Sequence, residues 1–134
     1  MSILRVLGDD LDFDGNQFAF WEGKPFTGVA YDLMPDGQVW SEIEYIDGKE
    51  EGIARTWYPS RQVKHDITYR HGGRHGPERE WFENGNLKRE TIFEHTITVK
   101  ERVWDEQGNL IRDFELDEED PNYSILELYR ADDP

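Results

Sequence analysis

Four groups of side chains have types and spacings that carry chemical meaning. Asp10-Leu11-Asp12-Phe13-Asp14-Gly15 opens like an EF-hand calcium loop, with oxygen donors at alternate positions and a glycine at the sixth. Such a loop closes on a bidentate glutamate at its twelfth position, where this chain has Trp21, with Glu22 one residue late. No helical pattern flanks it, so the segment reads as a hairpin turn. His71 and His75 stand four apart across Gly72-Gly73, a turn and not a helix face, and no third ligand is near them in sequence. They read as exposed turn histidines, as do His65 and His95. Ser41, Ser60 and Ser124 sit in no nucleophile elbow, and no phosphate-cradling glycine loop precedes a helix. The carboxylates Glu42 and Asp66 form a pair only because a longer unit recurs. These readings predict no catalytic residue, no cofactor and no metal, hence a protein that binds and is not an enzyme.

The elements that position these side chains come from that recurrence. Three stretches of 24 residues begin at Gly28, Gly52 and Gly76 and align without gaps. Leu33, Trp57 and Trp81 follow five residues on, Val39, Val63 and Leu87 six after that, and Tyr45, Tyr69 and Phe93 close each unit. A fourth, one residue shorter, keeps Trp104, Gly108 and Leu110, and a weaker first edge holds Trp21, Gly23 and Lys24. Each unit splits at Pro35-Asp36-Gly37, Pro59-Ser60-Arg61, Glu83-Asn84-Gly85 or Glu106-Gln107-Gly108. Asp-Gly and Asn-Gly favour hairpin turns because they reach positive φ at low cost. Return turns at Asp47-Gly48 and His71-Gly72 lead into the next unit. The pattern predicts an all-β, antiparallel meander of about four hairpins forming a twisted, curved sheet.

Period-two alternation assigns faces. Val39, Ile43 and Tyr45 share an apolar side with Val63, Ile67, Tyr69, Leu87 and Phe93, while Glu42, Asp66, Glu90, Lys64 and Lys88 point away. In the first strands, Val29, Leu33, Ile53, Trp57 and Trp81 extend the apolar side, with Asp32, Thr56 and Glu80 opposite. After Phe114 the pattern changes. Asp120-Pro121 makes a helix N-cap and first turn, with Ile125, Leu128 and Tyr129 on one face of a short terminal helix and solvated acids at its end. The single domain thus divides into a cap and first edge (1–27), repeats (28–51, 52–75, 76–99 and 100–114) and an acidic cap (115–134).

Composition agrees. The 134 residues suit one domain, and the 7 Phe, 6 Tyr and 5 Trp supply buried area that disordered chains lack. There is no Cys, so there are no disulfides and no thiolate chemistry. A net charge of -15 argues against nucleic-acid and membrane-surface partners. No apolar run reaches a membrane span, and MSILRVLGDD meets acids before a signal-peptide core forms, so the chain reads as cytoplasmic.

The pattern Tyr/Phe-x-x-Gly-Lys followed by Gly-x-x-x-x-Trp-Tyr/Phe-x-x-Gly-x-Leu/Val resembles the MORN-variant repeat. KPFTGVAYDLMPDG, GIARTWYPSRQV and GPEREWFENGNLK are similar to bacterial YwqK-like antitoxins. The resemblance covers about residues 18 to 114, with PNYSILELYR a weaker echo, and departs from the pattern at Arg61, in a turn-glycine position, and at Thr96 to Val99. It implies an immunity protein that binds a cognate toxin and prevents self-intoxication. It transfers no catalytic residue. The alternative it allows is a MORN-type scaffold that binds a protein, or less readily a membrane, without neutralising a toxin.

Charge locates the candidate surface. Residues 1–45 hold two Lys/Arg against nine Asp/Glu, and residues 93–134 hold four against thirteen, whereas the middle is nearly balanced. The acids Asp9, Asp10, Asp12 and Asp14 at one end, and Glu115, Asp117, Glu118, Glu119 and Asp120 at the other, are candidates to meet a basic toxin or effector domain. The alternative is an acidic surface that keeps the protein dispersed and its sheet edges unpaired. Glu42 joins the candidates from the charged face. Trp40 does too, because alternation puts its ring in the Lys64 and Lys88 column, exposed as a hot spot or packed beneath the N-terminal segment. The chain is expected to be a monomer or a weak homodimer.

Overall fold

The computed structural model describes residues 3–133. β1 (Arg5–Leu7) is followed by a 3-10 turn (Gly8–Asp10) and by three short strands, β2 (Asp12–Phe13), β3 (Ala19–Trp21) and β4 (Lys24–Pro25). Eight longer strands then alternate: β5 (Gly28–Leu33), β6 (Val39–Ile46), β7 (Lys49–Trp57), β8 (Val63–Arg70), β9 (Gly73–Trp81), β10 (Leu87–Glu94), β11 (Ile97–Trp104) and β12 (Leu110–Glu115). A single helix, α1 (Pro121–Asp132), closes the chain. β5 to β12 pair in sequence order as the expected antiparallel meander, β1 adds a parallel strand to its first edge, and β2–β4 form a separate small sheet. Among the described residues no helix is long and apolar enough to cross a membrane.

Two kinds of turn recur. At the tight end, Met34, Tyr58, Phe82 and Asp105 each accept from the residue three on, namely Gly37, Arg61, Gly85 and Gly108, all at positive φ. Each also donates to the carbonyl four on, which makes a type I turn followed by a left-handed residue. At the return end, Glu22-Gly23, Asp47-Gly48, His71-Gly72 and His95-Thr96 all place two consecutive residues at positive φ, the signature of a type I′ turn. Arg61 (φ 75) and Thr96 (φ 68) adopt the conformation of the glycines they replace, so the repeat persists where its glycine does not.

Beside each tight turn the ladder slips by one. Asp32 and Leu33 oppose Ser41 and Val39, and Thr56 and Trp57 oppose His65 and Val63. Trp81 and Glu80 oppose Leu87 and Arg89, and Val103 and Trp104 oppose Arg112 and Leu110. The residues passed over, Trp40, Lys64, Lys88 and Ile111, form one column of β-bulges. A bulge reverses the phase of alternation, and this corrects the face assignment of the first strands. Ala30 pairs with Ile43 and Asp32 with Ser41, while Val29 pairs with Glu44. Thr56 faces His65, and Ile53, opposite Thr68, is exposed. Asp32, Thr56 and Glu80 therefore lie on the side of Ile43, Ile67 and Phe93, and Val29 and Ile53 lie on the charged side. Counting back from Leu33 and Trp57 crosses the bulge and inverts the answer.

On the charged side, acids at equivalent positions each meet an arginine: Glu42 with Arg5 (2.7 Å), Asp66 with Arg55 (3.6 Å), Glu90 with Arg79 (2.8 Å) and Asp113 with Arg102 (3.3 Å). The first unit has Tyr31 where the others have arginine, and Arg5 of β1 supplies the missing cation while stacking over the Tyr31 ring at 5.2 Å. Exposed pairs of this kind are worth about 0–1 kcal/mol each, so the column favours register more than stability.

Two caps cover what the meander leaves open. Val6, Leu11, Ala19 and Phe26 bury Ala30 and Tyr45, with Trp21 and Ile43 packed against them. Burial and the charge of Glu50 push the Tyr45 hydroxyl up to about 12. At the far end α1 begins as expected, Asp120 Oδ1 accepting from the Asn122 amide with Pro121 in the first turn. Its buried residue is Leu126, however, while Ile125, Leu128 and Tyr129 are exposed by 45, 71 and 49 %, so the predicted apolar face is displaced. Asp133 is not a solvated tail acid either. It binds Arg70 through both carboxylate oxygens (3.0 and 2.6 Å) and approaches His95 at 3.2 Å.

Candidate partner-binding surface

Of the N-terminal acids, Asp9, Asp10 and Asp12 are exposed, whereas Asp14 is half-buried and closes the β2–β3 turn by accepting from the amides of Asn16 and Phe18, both at 2.9 Å. The stretch that resembled a calcium loop is therefore a hairpin turn. Of the C-terminal acids, Asp117 accepts from the Glu119 amide and Asp120 caps α1, so both shape the backbone. Glu115 opposite Lys100, Glu118 and Glu119 are exposed. Glu42 is held by Arg5.

The two acidic ends do not meet. Asp9 and Asp10, in the 3-10 turn packed on β5, and Glu115, in β12, lie at opposite edges of the meander. Seven strand spacings of about 4.8 Å separate those edges by about 34 Å along the sheet. A standard interface of about 800 Å² a side is about 30 Å across, so it spans one end and not both.

The N-terminal end has the additional features of a built surface. The 3-10 turn sits beside Asp32, close enough that a Cβ on Gly8 would lie 2.6 Å from the Asp32 carboxylate. Burial, and then the charge of Asp9, push the Asp32 carboxyl above its ordinary value of 3.8. Asp32 pairs with Ser41, the neighbour of Trp40. Negative charge thus leads directly to the tryptophan.

Trp40 itself is 42 % exposed. The bulge turns it from the charged side into a cleft of about 390 Å³ shared with Thr56, Trp57, Tyr58, Lys64, His65, Glu80, Trp81 and Lys88. Three tryptophans from successive units come together there. The Tyr58 hydroxyl donates to the Trp81 carbonyl at 2.7 Å, and Lys64 and Lys88 lie over the Tyr58 and Phe82 rings, both at 5.6 Å. The arrangement repeats because the sequence does.

The histidines differ from expectation. Only His71 is an exposed turn residue; His65, His75 and His95 are half-buried. His65 bonds Glu78 at 2.9 Å. His75 Nδ1 accepts from the His95 amide at 3.0 Å, and the His95 ring meets His75 edge-on and stacks on Tyr129 of α1. Burial, His95 and Arg70 hold His75 below its ordinary 6.5. Sequence spacing missed both clusters because their members meet across strands. The signal present was cross-strand position, readable only once the bulges are known.

Residues 74–95, the β9–β10 hairpin with its return turn, match the MORN repeat variant family. The "Immunity protein YwqK" of Bacillus subtilis (strain 168) is 60 % identical over 108 residues, covering 81 % of this chain and 70 % of that protein. The chain belongs to the YwqK-like family of MORN-variant repeat proteins. No solved structure matches it significantly. Within this YwqK-like fold the matched hairpin carries Glu78, Glu80 and Trp81, so the family signature and the cleft share residues.

Proposed function

We propose that this YwqK-like protein is an immunity protein, which neutralises a cognate bacterial toxin or effector domain by stoichiometric binding and without catalysis. The observation that carries the reading is the 60 % identity with a relative named an immunity protein. The acidic surface supports a basic partner, since opposite fields accelerate encounter and penalise wrong partners.

The docking site in this reading is the N-terminal end. Asp9, Asp10 and Asp12 supply exposed charge, and Trp40 supplies the large half-exposed ring typical of a hot spot. Asp9 and Asp32 repel one another in the free protein, and a Lys or Arg from the partner placed between them would relieve that repulsion. Glu115, Glu118 and Glu119 add to the long-range field without contact. Asp14, Glu42, Asp117 and Asp120 have structural partners and act on the fold.

The test is coexpression with a candidate toxin domain from the adjacent reading frame, followed by binding of the purified pair. Rescue of growth and a one-to-one complex whose association slows as salt is raised are the expected results. Rescue without a complex, or a rate indifferent to salt, overturns the reading or its electrostatic part, respectively.

A further inference from the structure

We infer that His65, Glu78 and Glu80 form a binding site for a divalent first-row transition-metal ion. The inference is independent of the toxin-binding reading. Glu78 and Glu80 stand two apart on β9 and so face the same side. On β8, His65 lies directly opposite Glu80, and its neighbour on that face, Ile67, lies opposite Glu78. A donor atom from each of the three side chains lies within 4.8 Å of the others. His65 Nε2 and Glu78 Oε2 are already 2.9 Å apart, about the separation of cis ligands around an octahedral ion at about 2.1 Å.

The repeat supplies an internal comparison. The equivalent trio one unit earlier is Ser41, Ala54 and Thr56, and one unit later it is Arg89, Glu101 and Val103. Neither can hold a metal. In the later unit a single carboxylate, Glu101, is neutralised by protein groups: Arg112 at 2.9 Å and the Thr91 hydroxyl at 3.0 Å, whose bonds outweigh burial and lower its pKa. Only the middle unit places two carboxylates side by side, and it faces them with an imidazole where the next has a guanidinium. Arg74 reaches Glu78 at 3.9 Å and Arg89 of β10 lies opposite Glu80 on its other side, but no ion pair to Glu80 within 4.0 Å is formed among the described residues. The nearby lysines Lys64 and Lys88 lie over aromatic rings.

The donor set decides the class of ion. One imidazole with two carboxylates suits Mn²⁺, Co²⁺, Ni²⁺ or Zn²⁺, and the nitrogen donor disfavours Mg²⁺ and Ca²⁺. Three protein ligands leave the remaining positions open to the cleft, whose walls include Trp40, Trp57 and Trp81. An open-shell ion there, such as Ni²⁺ or Co²⁺, is placed to quench tryptophan fluorescence.

The experiment is titration of the untagged full chain with NiCl₂, ZnCl₂, MnCl₂ and MgCl₂, followed by calorimetry and by tryptophan emission. We expect one Ni²⁺ or Zn²⁺ per chain in the micromolar range, weaker Mn²⁺, no saturable Mg²⁺ binding, and quenching by Ni²⁺ at the same midpoint. His65→Ala and Glu80→Gln each weaken binding at least about tenfold, whereas His75→Ala leaves it unchanged. If His65→Ala fails to fold by circular dichroism, Glu80→Gln decides the matter, because Glu80 has no ion pair to lose. Absence of saturable binding below about 1 mM, or binding that survives Glu80→Gln, overturns the site. So does binding lost in His75→Ala.

Discussion

Replacing Thr96 by glycine should stabilise this protein, and the same replacement at Arg61 should not. Both residues hold turn positions at positive φ, 68 and 75 respectively, where the equivalent positions of other turns carry glycine. A left-handed conformation costs a residue with a Cβ about 1–2 kcal/mol, and glycine gives back about 0.5–1 kcal/mol through its freer unfolded state. Thr96→Gly therefore gains about 0.5–1 kcal/mol, because the exposed Thr96 side chain makes no hydrogen bond among the described residues and the Thr96 amide still donates to the Arg74 carbonyl. Unfolding a chain of 134 residues carries an entropy of about 0.28 kcal/mol/K at about 2.1 cal/mol/K per residue, so Tm rises by about 2–4 °C. Arg61 adds what Thr96 lacks. Its guanidinium donates to the Val39 carbonyl and lies over the Trp57 ring at 5.5 Å, together worth about 1–2 kcal/mol. Arg61→Gly therefore leaves Tm unchanged or lowers it by a few degrees. Thermal melts of the two variants beside the parent decide the matter. A rise at Arg61 equal to that at Thr96 would refute the claim that side-chain contacts offset the strain there. A fall at Thr96 would refute the strain itself.

Three further outcomes are expected. Trp40→Ala should weaken the toxin complex about 30-fold or more in surface plasmon resonance while moving Tm by less than about 2 °C, since a half-exposed hot-spot ring contributes more to binding than to folding. Leu126→Ala, which empties the buried contact of α1, should cost about 2–4 kcal/mol by urea denaturation, with the loss confined to the helix if hydrogen exchange shows it alone unprotected. Acid should also release that helix. His75 has a folded pKa below its ordinary 6.5, so the folded state resists its protonation, and stability falls as pH drops through 6.5 towards the lowered value. Asp133 is held below 3.8 first by its bond to Arg70, and its contribution, present above 3.8, disappears only as pH falls through that depressed value. Exchange protection of α1 should accordingly weaken in two steps, with His75→Asn removing the first; a single step at low pH, unchanged by that variant, would contradict this.

The meander was legible because turns are written locally. Pro35-Asp36-Gly37, Glu83-Asn84-Gly85 and Gly48-Lys49 specify backbone geometry within three or four residues, and a fixed 24-residue spacing repeats the message. Asp120-Pro121 announced the helix for the same reason. The faces of the first strands were not legible, because a bulge is a relation between two strands and leaves no mark in either alone. That slip moved Trp40 into a cleft, and a separate irregularity between Ile67 and Tyr69 on the β8–β9 ladder brought His65 level with Glu80. Glu42 looked free because its partner, Arg5, lies 37 residues upstream in a parallel strand that the hairpin pattern does not predict.

Because the strands from β5 to β12 pair in chain order, with no strand returning to an earlier one, the array has no fixed length. Duplicating or deleting one 24-residue block would displace α1 along the array by two strand spacings, about 10 Å. A gene of this kind can change its span in a single recombination event, like a ruler cut to the width of whatever it must measure.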